Sequence, residues 1–213
     1  MRELRRRVRA EQSKLSFEPC LPRPAKQPPS GPGWLHEIKH DGYRVIARRN
    51  AAGLQLITRN GYDLSYRFKL AANAVAALRA RSCVIDGEAI ACDDSGLSVF
   101  ELIRNWRNDH AMTLCAFDLL ELNGEDLRRL PIEERKRRLA KLLRDAPEGI
   151  AYNEHYDGDG ATIYRHACAL GCEGINASSH GRNQKSLGLT LRTLTTLMHG
   201  VAPQCAVKEP VHC

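Results

Sequence analysis

The chain has 213 residues, of which 43% are hydrophobic and 27% charged, a composition typical of a globular protein with an ordinary core rather than of a disordered chain. Lys and Arg number 32 against 25 Asp and Glu, so the formal net charge is +7. The apolar runs fall short of the ~20 residues that span a membrane. No apolar stretch follows the Arg-rich residues 1–10, which argues against a targeting peptide. We therefore expect a cytoplasmic protein without a membrane anchor.

Eight cysteines are present, but no two of them form a C-x2-C pair, and the closest spacing is that of Cys168 and Cys172. Several lie in apolar runs, as Cys115 does, where a reduced cysteine behaves as a small hydrophobic residue. We interpret them as core thiols rather than zinc ligands or disulfide partners. Arginine outnumbers lysine, and because guanidinium binds phosphate in a bidentate manner, the excess positive charge is compatible with a polyanionic partner.

In chain order, residues 1–33 are basic and then rich in proline, which predicts an extended leader. From Trp34 onward the sequence changes to short runs of apolar and β-branched residues, which predict strands. Five such runs are present: WLHEIK, YRVIARR, LQLITR, CVIDGEAIA and TLCAFDLL.

Apolar residues recur at helical spacing in residues 68–78 and 132–143, and the second of these runs follows Pro131, a residue suited to a helix start. Residues 161–170 predict a further helix that ends at Gly171. Strands with helices inserted at irregular intervals indicate an α+β fold. From residue 176 the composition shifts to Ser, Thr, Leu, His and Gly without a persistent period. We therefore predict a core domain at 34–175 and an atypical tail at 176–213, disordered or read in a shifted frame.

The segment EIKHDGYR, residues 37–44, carries the strongest chemical signal. Lys39 ends a strand-like run and is followed by the turn pair Asp41-Gly42 and by Arg44. A nucleophilic lysine needs a rigid setting and neighbours that modify its protonation. An ordinary hairpin with an exposed lysine explains the same eight residues, so this segment alone leaves both interpretations open.

Further groups suited to nucleotide chemistry follow at the ends of the predicted strands. Arg59 precedes a turn, Glu88 lies in an apolar run, Phe117 lies in another, and Glu173 follows the last predicted helix. Cations for phosphates, an aromatic face for a base, and carboxylates for Mg²⁺ or ribose hydroxyls are what nucleotidyl transfer requires. Taken singly, Arg59 fits a surface charge, Phe117 a core residue and Glu88 a solvated strand residue.

The motifs in order carry a family resemblance. EIKHDGYR resembles the K-x-D-G nucleophile motif of covalent nucleotidyltransferases, and the ordered set resembles the ATP-dependent DNA ligases, especially the ligase domain of bacterial end-joining ligases. The resemblance covers about residues 15–175 and rests on five segments: EIKHDGYR, ITRNGYD, VIDGEAI, CAFDLL and ALGCEGI.

This resemblance implies an adenylation domain with two antiparallel β-sheets flanked by helices and ATP held between the sheets. Lys39 would attack the α-phosphate of ATP, expel pyrophosphate and carry AMP, which would then activate the 5′-phosphate of nicked or broken double-stranded DNA. Mg²⁺ as a second cofactor, a role in DNA repair and recombination, other DNA end-joining proteins as partners and a cytoplasmic, nucleoid-associated location are implied in the same way. The implied sites are Glu37 near the adenine edge, Phe117 on its face, Arg44 and Arg59 at ribose or phosphates, and Glu88 and Glu173 at ribose or metal.

The sequence departs from the family after Glu173-Gly-Ile. The family continues with a lysine, whereas residues 176–179 read NASS and place a serine there; the only later lysines are Lys185 and Lys208. The remaining residues are too few for a further OB-fold domain. We therefore expect weak or no ligation even with Lys39 intact. Two alternatives stay open: a catalytically inactive nucleotide- or DNA-binding remnant, and an RNA ligase or capping-type transferase.

Overall fold

The computed structural model describes residues 23–179 and 189–192. Its strands, in chain order, are β1 (Arg23–Pro24), β2 (Trp34–Lys39), β3 (Tyr43–Asn50), β4 (Gly53–Thr58), β5 (Cys83–Ile90), β6 (Thr113–Leu122), β7 (Glu125–Asp126), β8 (Ile150–Tyr152), β9 (His155–Asp157), β10 (Gly174–Ser179) and β11 (Leu189–Arg192). Its helices are α1 (Lys69–Ala77), α2 (Phe100–Arg104), a 3₁₀-helix (Trp106–Ala111), α3 (Ile132–Leu143) and α4 (Gly160–Ala169). The five predicted strands, as β2 to β6, and the three predicted helices, as α1, α3 and α4, are confirmed.

The strands form two sheets. Sheet 1 has the order β1-β11-β10-β2-β9, and sheet 2 has the order β4-β3-β5-β6-β7, with β8 added beside β6. Neighbouring strands are antiparallel except for β1 with β11 and β6 with β8. The predicted α+β class with two antiparallel sheets flanked by helices is therefore confirmed.

Alternation along the strands of sheet 2 separates an apolar face from a polar one. Val45 and Ile85 belong to the main core, in which α1 contributes Val75 and α3 contributes Leu139. Since successive strand residues point to opposite faces, the neighbours of these core residues face the other way. That second face carries the polar side chains of β3, β5 and β6 and forms one wall of a cleft.

In sheet 1, β2 lies between β10 and β9 and alternates in the same manner. Ile38 packs with Ile175 of β10 and Ala167 of α4, so this face is covered by a helix. Glu37 and Lys39 point to the opposite face, toward sheet 2. The two sheets therefore present their polar faces to one another.

The domain boundaries predicted at residues 33 and 175 do not coincide with the ends of the sheet. β10 continues to Ser179 because residues 176–179 pair with β2 over Glu37 to Trp34. β1 lies within the predicted leader and pairs with β11. Strand pairing thus imposes order on segments whose local pattern is weak. The rest of the predicted leader and tail, including Lys185 and Lys208, lies outside the described residues.

No helix within residues 23–179 has the length and apolar character needed to cross a membrane.

Candidate active site

Lys39 is the last residue of β2, and its pairing partner in β10 is Gly174, the residue after Glu173. This register brings the Lys39 ammonium and the Glu173 carboxylate into an ion pair across 134 positions of sequence. The Glu173 side chain is 7% exposed and that of Lys39 is 20% exposed. A nucleophile candidate and an acid therefore meet at one end of the cleft, sheltered but still open to a ligand.

Glu88 reaches this pair from sheet 2. Burial raises the pKa of the Glu88 carboxyl to about 8, while the positive charges of Lys39 and Arg44 act in the opposite direction, and the negative charges of Asp86 and Glu173 add to the rise. Glu88 is therefore close enough to both Lys39 and Glu173 to feel their charges. In the absence of a bound cation the Glu88 carboxyl is therefore largely protonated near neutral pH.

Arg44 stands next to Glu88, since the two residues are directly paired between β3 and β5. Its guanidinium forms a two-bonded ion pair with Asp86, with distances of 3.0 Å from Nε to Oδ1 and 2.8 Å from the terminal nitrogen to Oδ2. The guanidinium carbon also lies 5.3 Å from the ring centroid of Phe117. Burial raises the pKa of Asp86, and the hydrogen bonds and charge of Arg44 oppose that rise. Arg44 is thereby fixed at the wall of the cleft.

Glu37 occupies the cleft face of β2 two residues before Lys39. Its Oε1 accepts a hydrogen bond of 2.6 Å from the ammonium of Lys136 and one of 3.4 Å from the amide of Asn153. The Lys136 ammonium also donates to the backbone carbonyl of Phe117 at 2.9 Å. Burial raises the pKa of Glu37, and the charge of Lys136 opposes it.

The turn between β2 and β3 is held against sheet 2. A Cβ built on Gly42 would clash with the backbone oxygen of Ala89 and stand 2.8 Å from Cγ of Glu88, so this close approach requires glycine. The backbone amide of Asp41 donates to Ser98 Oγ at 3.0 Å. The turn predicted at Asp41-Gly42 is thus held against sheet 2. Because Lys39 is the last residue of β2, the turn also fixes the position of its side chain.

Six of the seven predicted site residues line the cleft: Glu37, Lys39, Arg44, Glu88, Phe117 and Glu173. The seventh, Arg59, follows β4 and is exposed, and no contact within the described residues joins it to the Lys39 group.

Sequence reasoning missed Lys136 and Asn153. The sequence did mark Lys136, because it lies four residues after Ile132 and three before Leu139, on the apolar stripe of α3. A charged residue on such a stripe is buried and must be paired. Asn153 had no signal, since it lies between two short strands and acts through tertiary contacts with Glu37 and His40.

Within the described part of the chain, no group of three or more His, Cys, Asp or Glu side chains is arranged to hold a metal ion. Glu88 and Glu173 offer two carboxylates, and Mg²⁺ is commonly held by one or two carboxylates together with substrate phosphates. The raised pKa of Glu88, caused by burial, also fits a site that a cation would complete. These two carboxylates are therefore compatible with a Mg²⁺ that substrate phosphates also hold. Cys83 and Cys115 are buried thiols in the core, as expected of cysteines in apolar runs.

A lysine at a strand end, in a cleft to which both sheets contribute carboxylates, is compatible with a covalent nucleotidyltransferase domain, the class that the family resemblance implies. Within that class, the ATP dependent DNA ligase domain family matches residues 26–180, more than half of the chain. The chain belongs to this family of enzymes.

Two relatives illustrate the kinship. The multifunctional non-homologous end joining protein LigD of Pseudomonas aeruginosa is 33% identical over 166 residues, which cover 76% of this chain and 20% of the relative. The protein of the same name from Mycolicibacterium smegmatis is 32% identical over 144 residues, covering 68% of this chain and 19% of the relative. The chain thus spans about one fifth of the length of these relatives.

Solved structures show the same fold. The ligase domain of M. tuberculosis LigD aligns with a TM-score of 0.65 at 25% identity, covering 80% of this chain and 60% of that one. A mycobacterial DNA ligase D complexed with ATP and MES aligns with a TM-score of 0.66 at 24% identity, covering 83% and 61%. The predicted family and fold are confirmed, and the family match favours a DNA ligase domain over the RNA ligase or capping-type alternative.

Proposed function

We propose that the chain adenylates itself at Lys39 with ATP and passes the AMP to the 5′-phosphate of nicked or broken DNA. The observation that carries this proposal is the convergence of Lys39, Glu173 and Glu88 at one end of the cleft. The nitrogen attacks the α-phosphorus, the bond to the bridging oxygen breaks, and pyrophosphate leaves. The product is a phosphoramidate between Lys39 and AMP.

Lys39 must lose a proton to attack, and Glu173 is positioned to accept it because its carboxylate already pairs with the ammonium. Arg44 presents a fixed positive charge beside the cleft, suited to ribose oxygens or phosphates. Glu88 and Glu173 would hold Mg²⁺ against the triphosphate, and the ion would neutralise charge while pyrophosphate departs. The remaining contributions are positioning and electrostatic stabilisation, the main needs of phosphoryl chemistry.

The remaining positions keep the roles that the family resemblance implies. Glu37 and Phe117, which Lys136 joins through the Glu37 carboxylate and the Phe117 carbonyl, are assigned to the edge and the face of adenine. Arg59 is assigned to phosphates of the nucleotide or of DNA. Since it is exposed after β4, it can contact these phosphates only when a bound ligand places them nearby.

The DNA substrate and the setting of the reaction are part of the same proposal. The relatives' names support non-homologous end joining as the repair pathway, with nicked or broken double-stranded DNA as substrate and other end-joining proteins as partners. Such a protein would act in the cytoplasm in association with the nucleoid. The domain organisation that we propose is a leader at 1–33, the adenylation core and the atypical tail, with the core extended to residue 179 by β10.

The test is incubation of the full chain with ATP labelled in the α-phosphate and Mg²⁺, followed by denaturing electrophoresis. We expect label on the wild-type chain and none on Lys39→Arg, which keeps the charge but removes the nucleophile. Lys69→Arg, at the exposed start of α1, is the matched control and should label normally. Persistent labelling of Lys39→Arg would overturn the assignment, and an unlabelled wild-type chain would favour an inactive nucleotide- or DNA-binding remnant.

A further inference from the structure

Lys136 is a lysine with none of its side-chain surface exposed. It lies in the middle of α3, on the stripe that Ile132 and Leu139 bury against the core. Lysine is rarely buried so completely, because its charge loses hydration that only good partners can replace. Its position therefore needs an explanation beyond the packing of the helix.

Both hydrogen bonds of the Lys136 ammonium point to the proposed adenine end of the cleft. One bond, of 2.6 Å, holds Glu37 Oε1 on sheet 1, and the other, of 2.9 Å, holds the carbonyl of Phe117 on sheet 2. A single ammonium thus links the residue assigned to the adenine edge with the residue assigned to its face. These two bonds fix the spacing of the sheets at that point.

The second oxygen of Glu37, Oε2, has no hydrogen bond from any residue in 23–179 or 189–192, and the side chain retains 8% of its surface. This oxygen is not among the buried unpartnered atoms of the described residues, so it remains accessible and can accept a hydrogen bond from a donor on a ligand. The 6-amino group of adenine is such a donor, whereas the oxygen at position 6 of guanine is an acceptor and would be repelled.

We infer that Lys136 is a positioning residue that sets the base specificity of the cleft by holding Glu37 as an ionised acceptor for the adenine 6-amino group. This inference rests on the proposed function. Removal of the cation would leave Glu37 in a buried site that favours its protonated form. A protonated carboxyl keeps only an uncharged carbonyl acceptor and gains a donor, so the charged acceptor that selects adenine would be lost.

The alternative is that Lys136 only braces the two sheets. In that case, loss of Lys136 should slow adenylation with every nucleotide by the same factor, because the spacing of the sheets does not depend on the 6-amino group of the base. The ratio of adenylation efficiencies, as kcat/KM, for ATP and for purine riboside triphosphate separates the two roles. The analogue lacks the 6-amino group and is otherwise the same size.

The experiment measures this ratio in the full chain for wild type, Lys136→Met, Glu37→Gln and the double variant. Wild type should prefer ATP by about 10- to 100-fold, the range for a hydrogen bond to a charged group. Lys136→Met and Glu37→Gln should each reduce the preference by about tenfold or more, and the double variant should match Glu37→Gln. Lys136→Arg keeps a cation and should keep most of the preference, while Lys141→Met, at an exposed site of the same helix, should change nothing.

If Lys136→Met slows adenylation with both nucleotides equally, so that the ratio of their kcat/KM values is unchanged, Lys136 only holds the two sheets together. That result would overturn the inference. If Lys136→Met does not fold, the double variant, which buries neither charge, provides the test, and a wild-type ratio there overturns the inference as well. Failure of the proposed function looks different: the wild-type chain would then be adenylated by neither nucleotide, and both proposals would be overturned together.

Discussion

Lys39 is surrounded by acids from both sheets, Glu173 beside β10 and Glu88 on β5. The Glu173 carboxylate forms the ion pair, whereas burial raises the pKa of Glu88 to about 8. The two glutamates differ in their contacts: Glu173 pairs directly with the Lys39 ammonium, whereas no ion pair within the described residues involves Glu88, although both side chains are sheltered.

A pH dependence of stability follows from Glu88. Its pKa is higher in the folded chain than its ordinary value of 4.5, so the folded state binds more protons between 4.5 and about 8. The free energy of unfolding should therefore fall as the pH rises through this window, by up to about 1.4 kcal/mol per pH unit from this group. Glu88→Gln, which cannot titrate, should show a shallower slope and exceed the wild-type stability at the upper end.

Urea unfolding at several pH values measures this slope. The same variant should lose most of its adenylation, because it removes a carboxylate from the proposed Mg²⁺ site. A Glu88→Gln chain with the wild-type pH slope and full labelling would refute both assignments of Glu88. If the Glu88→Gln variant is unfolded at every pH, the result would instead show that the Glu88 carboxylate is needed for folding.

At the scale of elements, the turn between β2 and β3 fixes the cleft. Gly42→Ala should force the turn away from Ala89 and Glu88, which we expect to lower the free energy of unfolding by about 1–3 kcal/mol. It should also reduce labelling sharply, because Lys39 would be displaced. Gly124→Ala is the control: its φ of +93° makes alanine unfavourable by about 1–2 kcal/mol, but nothing lies within 4 Å. The two variants should therefore be similarly destabilised and differ in labelling; equal labelling would show that the turn does not position Lys39.

The elements also show which features the sequence could predict. β2 to β6 were predictable because their alternation and turn residues are local, and the motif around Lys39 could be recognised because eight contiguous residues carry it. The ion pair between Lys39 and Glu173 depends on the register of β2 with β10, which no local pattern encodes. β10 was not predicted for the same reason, since residues 174–179 form a strand only through pairing with β2 and β11.

At the scale of the whole molecule, the net charge of +7 bears on the interaction with DNA. Neutralising even a handful of phosphates releases counterions and makes affinity strongly salt-dependent. We expect weak binding to a nicked duplex, with an affinity loss of about tenfold or more between roughly 50 and 200 mM salt. Fluorescence anisotropy with nicked and intact duplexes measures it. Tight binding that does not change with salt would require a base-reading surface and would contradict this account.

The most direct test of the central claim, that Lys39 is the AMP acceptor, is the mass of the intact chain after exposure to Mg²⁺ and ATP, followed by peptide mapping of any adduct. The account predicts a mass increase of one AMP, located on the peptide that contains Lys39 and reversed by added pyrophosphate. An adduct on any other lysine, or an increase that persists in Lys39→Arg, would contradict it.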